Sequence, residues 1–169
     1  LFVEKNNTNQ LGIRMENGEA NQITQYKMNL MDLNQENIQI PPIQFESVIT
    51  LPSNNFQKIC RDMFNLSDNI EITSYDQQIT FKCKGDIADQ ETTIGKSNTS
   101  GLEFSNTHNT EIIQGIFSLK YLVLFTKCTN LCNSIELYLK NNYPLIINYS
   151  VASLGNIKLC LAPQQNKTF

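Results

Sequence analysis

From residue 46 onward the chain switches hydrophobic period, and it makes the same switch twice in the same order. Residues 46–51 alternate as a strand, and Pro52 with Ser53 supplies a helix-start signal. Phe56, Ile59, Cys60 and Met63 then recur at i, i+3, i+4 and i+7, one face of an amphipathic helix predicted to end near Leu66. Period two follows: Ile70 and Ile72, a turn near Asp76, then Ile79, Phe81 and Cys83, with a further strand predicted over 87–94.

Residues 111–119 begin these events again. A strand leads into a helix over 118–131 with Leu122, Phe125 and Thr126 on one face, and strands are predicted over 134–140, 145–151 and 156–161. Shifting the first unit by about 65 residues lays Leu51 near Phe117, Phe56 near Leu122, Arg61 near Lys127, Ile70 near Ile135 and Phe81 near Ile146. The pattern is an internal βαβββ duplication, and it predicts an α+β fold in which two helices cover antiparallel sheets. The Asn-, Ser- and Gly-rich residues 95–109 read as the loop between the two units.

Upstream, residues 1–4, 12–16 and 22–30 read as strands with no helix of their own, like the tail of another domain. Between them and Glu46 the polar stretch 31–45 carries Pro41-Pro42 and isolated Ile38 and Ile40. Proline fixes φ and removes a donor, so this stretch reads as an extended tether.

Composition narrows the chemistry. The 169 residues carry a net charge of −3 and 40% hydrophobic residues, which excludes a disordered or collagen-like chain. No apolar run approaches the ~18 residues of a membrane-crossing helix. Leu1 to Lys5 read as the middle of a strand, without an initiator Met or a basic n-region, so no signal peptide is expected within these residues. The five cysteines are odd in number and scattered, and read as reduced core thiols. Five N-x-S/T triplets, headed by Asn6, Asn65, Asn98, Asn148 and Asn166, are little more than an Asn-rich chain produces by chance.

The two helical segments together carry +3, from Lys58 and Arg61 against Asp62, and from Lys120 and Lys127, so the rest of the chain carries −6. Within each pair the spacing puts both cations on one helix face. That face is either a solvated surface or one that meets phosphates without reading sequence. No catalytic constellation accompanies it: His108 is the sole histidine, Cys128 and Cys132 have no second ligand pair for zinc, and Asp86 with Asp89 reads as a solvated turn.

Leu30-Met31-Asp32-Leu33, Ile38-Gln39-Ile40-Pro41 and Phe56-Gln57-Lys58-Ile59-Cys60-Arg61-Asp62 resemble blocks of the eukaryotic and viral sliding clamps called proliferating cell nuclear antigen. The resemblance continues through residues 119–127, Tyr143-Pro144-Leu145 and Leu161-Ala162-Pro163. It implies the DNA-clamp fold, with residues 1–30 as the last strands of a truncated first domain, 31–45 as the connecting loop, 46–163 as the second domain and 164–169 as a tail. It further implies a noncatalytic processivity factor, a homotrimer when full length, encircling duplex DNA in a nucleus or a viral replication compartment. Lys58, Arg61, Lys120 and Lys127 would face the DNA. DNA polymerase, clamp loader, flap endonuclease and ligase would dock short peptides against Ile38, Ile40, Pro144, Cys160, Leu161, Ala162 and Pro163. Tyr26 would stand on one subunit edge, and Met63, Ile87 and Ile94 on the other. No cofactor, metal or membrane is implied. Cys160 stands where the family often has an aromatic residue, and Asp76 where it commonly has a modifiable lysine. Two other readings stay open: a checkpoint-type clamp subunit of a heterotrimer, and a β-rich interaction module that does not bind DNA.

Overall fold

The computed structural model describes residues 1–31, 44–97, 101–105 and 112–164. The chain divides into two compact units, Leu1–Pro42 and Ile43–Phe169.

In the first unit, β1 (Phe2–Glu4), β2 (Asn7–Asn17) and β3 (Gln22–Asn29) form an antiparallel sheet in the order β1-β2-β3. Leu11 pairs with Met28 and Ile13 with Tyr26, so these four side chains share one face. On the other face the Phe2 ring lies over Gly12, where any side chain would collide with it. Strand β2 outruns the predicted 12–16 at both ends because its ladder with β3 extends from Gln10 to Asn17 through polar residues that carry no periodic signal.

The second unit contains both repeats. The first runs β4 (Ser47–Pro52), α1 (Ser53–Phe64), β5 (Asn69–Tyr75), β6 (Gln78–Lys84) and β7 (Asp89–Gly95). A two-residue strand, β8 (Glu103–Phe104), then precedes β9 (Ile113–Ser118), α2 (Leu119–Phe125), a 3-10 segment (Thr126–Leu131), β10 (Ser134–Leu139), β11 (Leu145–Val151) and β12 (Gly155–Leu161). Each repeat lends its first strand to the sheet of the other, giving the orders β12-β11-β10-β4-β8 and β7-β6-β5-β9, all antiparallel. The register carries the duplication: Leu51 stands opposite Ile135, and Phe117, its repeat equivalent, opposite Ile70.

One apolar core joins both sheets to the helices. Helix α1 buries Phe56, Ile59, Cys60 and Met63, and α2 buries Leu119 and Leu122. The Phe56 and Phe81 rings pack 6.1 Å apart. Ser47 Oγ and Ser74 Oγ, 3.1 Å apart and buried, tie β4 to β5 across the two sheets.

Three expectations need correction. The segment 95–109 is not wholly loop: β8 pairs with β4, and Leu102 beside it is buried, a strand too short to show a period. The predicted strand over 87–94 starts at Asp89, because the N–H of Gly85 bonds to the Ala88 carbonyl and turns the chain there. The second helix is not continuous to Leu131. It tightens to 3-10 geometry at Thr126, whose hydroxyl donates back to the Val123 carbonyl at 2.9 Å. The helix-start signal at Pro52 and Ser53 holds: α1 begins at Ser53, with Pro52 at the N-cap and no side-chain cap bond there.

Candidate nucleic-acid interface and docking surface

The helix pair is held together by its own polar groups. Ser53 Oγ donates to the Cys132 carbonyl at 2.6 Å and lies 3.3 Å from that of Thr129, while its N–H bonds to the Asn133 carbonyl at 3.0 Å. Four residues on, Gln57 Nε2 donates to the Thr126 carbonyl at 2.8 Å. The start of α1 is therefore fastened to the segment that continues α2, and the helices lie side by side. Beneath them burial pushes the Cys60 thiol and the Tyr149 hydroxyl well above their usual ranges, so both stay neutral.

Away from that core, Lys58, Arg61, Lys120 and Lys127 are all exposed. Among the described residues none of the four enters an ion pair. Arg61 stands in the last turn of α1, where the helix dipole favours a cation. Four unpaired cations on two helices fastened to one another attract a polyanion without orienting it by sequence.

The residues assigned to peptide docking are only partly described. Ile38 and Ile40 lie outside the described residues. Pro144 leads into β11, Leu145 pairs with Leu161, and Ile146 pairs with Cys160, so Pro144, Leu161, Ala162 and Pro163 meet at one end of the β11–β12 hairpin. Cys160 is exposed, Leu161 and Pro163 half-buried. Just beyond, the Gln164 N–H donates to the Ile116 carbonyl at 2.8 Å, pinning this end of the chain to the outer edge of β9. Asn141 caps the same edge, accepting from the Gln114 N–H at 2.9 Å and donating to the Ile112 carbonyl at 3.0 Å. Periodicity could not have found Asn141, because a turn residue that bonds backbone elsewhere carries no pattern.

Of the proposed subunit-edge residues, Tyr26 is exposed on β3, an outer strand, and Ile94 is half-buried on β7, also an outer strand. Ile87 is 97% exposed but sits in the turn before β7. Met63 is a correction: it is fully buried among the core side chains and has no surface to offer a partner. The exposed apolar residue at that end of α1 is Phe64.

The family profile described as proliferating cell nuclear antigen, C-terminal domain, matches residues 39–164. The chain belongs to the proliferating cell nuclear antigen family. It is 35% identical over 163 residues to the "Probable DNA polymerase sliding clamp 1" of Paramecium bursaria Chlorella virus 1, a match covering 94% of this chain and 61% of the viral protein. It is 34% identical over 161 residues to the "Proliferating cell nuclear antigen" of Chaetomium thermophilum, covering 91% of this chain and 60% of that protein. A third relative, the "Probable DNA polymerase sliding clamp" of Acanthamoeba polyphaga mimivirus, is 33% identical over 168 residues, 98% of this chain and 35% of that protein. The chain thus spans about three fifths of the first two relatives and a smaller share of the third. Its duplicated βαβββ unit and paired helices are the α+β architecture that the resemblance implied.

Proposed function

We propose that this chain is part of a DNA sliding clamp, a noncatalytic ring that encircles duplex DNA and keeps DNA polymerase on it. The observation that supports this reading is the helix pair, fastened through Ser53 and Gln57, on which Lys58, Arg61, Lys120 and Lys127 are each exposed and, among the described residues, outside any ion pair. Family membership supports it, as do the printed names of the relatives. A surface of this kind holds duplex by neutralising phosphates, which lets DNA slide because no base is read.

In this reading residues 1–30 close a first clamp domain, 31–45 connect it to the second domain over 46–163, and 164–169 form a tail. The outer strands β3 and β7 join copies head to tail in a homotrimer, with Tyr26 and Ile94 at the seam and Ile87 beside it. The hairpin end bearing Pro144, Leu161, Ala162 and Pro163, with Cys160 exposed alongside and Ile38 and Ile40 of the connecting loop, receives docking peptides from polymerase, clamp loader, flap endonuclease and ligase. The site of action is a nucleus or a viral replication compartment. Duplex binding measured against salt concentration tests the reading: alanine at the four cations is expected to weaken binding and flatten its salt dependence. Unchanged binding would overturn it.

A further inference from the structure

The exposed side of α2 is not uniformly polar. Tyr121 is 48% and Leu124 51% exposed, and Leu124 lies one helical turn from each of Lys120, Tyr121 and Lys127. The helix is already anchored by Leu119 and Leu122, both fully buried, so neither Tyr121 nor Leu124 is needed to seat it. Phosphates give the Leu124 side chain and the face of the Tyr121 ring nothing, since an anion gains no free energy from apolar surface; only the Tyr121 hydroxyl can donate to one, and Tyr121→Phe removes that contact while keeping the ring. A duplex gives them little more, because its bases are stacked and paired inward. An unpaired base offers a free π face, and an aromatic ring between cations is the arrangement that holds single strands: the cations follow the backbone while the ring stacks on a base.

We propose that this face also takes single-stranded DNA, with Tyr121 as the stacking platform and Lys120 and Lys127 on the flanking phosphates. The inference rests on the duplex-facing reading of the helix pair and extends it to unpaired strand, as at the end of a duplex. Leu124 supplies the apolar floor beside the stacked base. Charge complementarity selects the occupant: an apolar patch with a cation one turn to either side of Leu124 suits a polyanion that carries exposed rings.

The chain contains no tryptophan, so Tyr121→Trp in the full chain places a single indole at the site. Titrating that variant with oligo(dT) at low salt is expected to quench its fluorescence. In parallel, Tyr121→Ala is expected to weaken oligo(dT) binding about tenfold, equivalent to ~1.4 kcal/mol, while changing duplex binding less than twofold. Tyr121→Phe keeps the ring and is expected to retain the oligo(dT) affinity. Absence of quenching, or equal losses on single and double strands in Tyr121→Ala, would overturn the stacking proposal and leave the duplex reading standing. The duplex reading fails separately if alanine at Lys58 and Arg61 leaves duplex affinity unchanged.

Discussion

Gln57 Nε2 on α1 donates to the main-chain carbonyl of Thr126 at 2.8 Å, across a sequence separation of 69 residues. The bond joins the two repeats at the point where α2 gives way to 3-10 geometry, with the Thr126 carbonyl as its acceptor. With the Ser53 hydroxyl on the Cys132 carbonyl, it makes the helix pair one rigid surface.

Ser53→Ala removes the donor to the Cys132 carbonyl at a part-buried site, together with the buried approach to the Thr129 carbonyl, and is expected to cost about 1–2 kcal/mol. Gln57→Ala is expected to cost about 1 kcal/mol, its site being only partly buried. Urea unfolding midpoints at constant m-value check both. A loss below about 0.3 kcal/mol in each variant would show that the ties do not hold the pair.

Met63 and Phe64 are neighbours with opposite fates. Met63→Ala opens space in the core and is expected to cost about 2–5 kcal/mol, whereas Phe64→Ser on the exposed side should stay within about 0.5 kcal/mol. Thermal unfolding of the two variants makes the comparison. Their reversal would place Met63 at the surface after all.

Tyr138 donates its hydroxyl to Glu136 Oε2 at 2.8 Å, and Asn148 Nδ2 donates to the same oxygen at 2.8 Å. Burial first, then the Glu136 hydrogen bond and charge, push the Tyr138 hydroxyl from 10.0 up to about 12. A raised acid favours the folded state while it is protonated. Its contribution is therefore complete below pH 10 and fades as pH rises toward 12. Tyr138→Phe is expected to show a shallower loss of stability across that window, measured as unfolding free energy against pH. Equal slopes would remove Tyr138 from the alkaline transition.

Under the proposed docking function, binding of a short glutamine-bearing helical peptide is expected to depend on Ile40. Placing a charge there by Ile40→Asp is expected to cost at least ~2 kcal/mol of peptide affinity. Calorimetric titration of wild type and variant is the check, and matching affinities would move the groove elsewhere.

The architecture was legible where a side-chain period repeats. Leu51 opposite Ile135 and Phe117 opposite Ile70 are the same ladder position in two repeats, and the 65-residue shift had already matched Leu51 to Phe117 and Ile70 to Ile135. Periodicity said less where burial is decided by tertiary packing. Met63 belongs to the core-facing set of α1 by spacing, and the structure buries it there; only the family resemblance put it at a subunit edge. Ser53 marked a helix start correctly, yet its hydroxyl serves the other repeat, a choice that no local pattern encodes. In α2 the spacing puts Leu122, Phe125 and Thr126 on one face, and the structure buries Leu122 and Thr126; the exposure of Tyr121 and Leu124 stayed hidden because residues 119–125 are apolar throughout except for Lys120, so the outer side carries little polar signal.

The central claim is that Lys58, Arg61, Lys120 and Lys127 meet phosphates. The most direct measurement is fluorescence anisotropy of a labelled duplex with the full chain across a series of salt concentrations, repeated with all four residues changed to alanine. Each phosphate neutralised contributes about −0.9 to the slope of log affinity against log salt. The account predicts a variant that folds normally by circular dichroism, with a slope less negative by up to about 3.6, the sum for four contacts. A folded variant with the same slope as the wild type would contradict it.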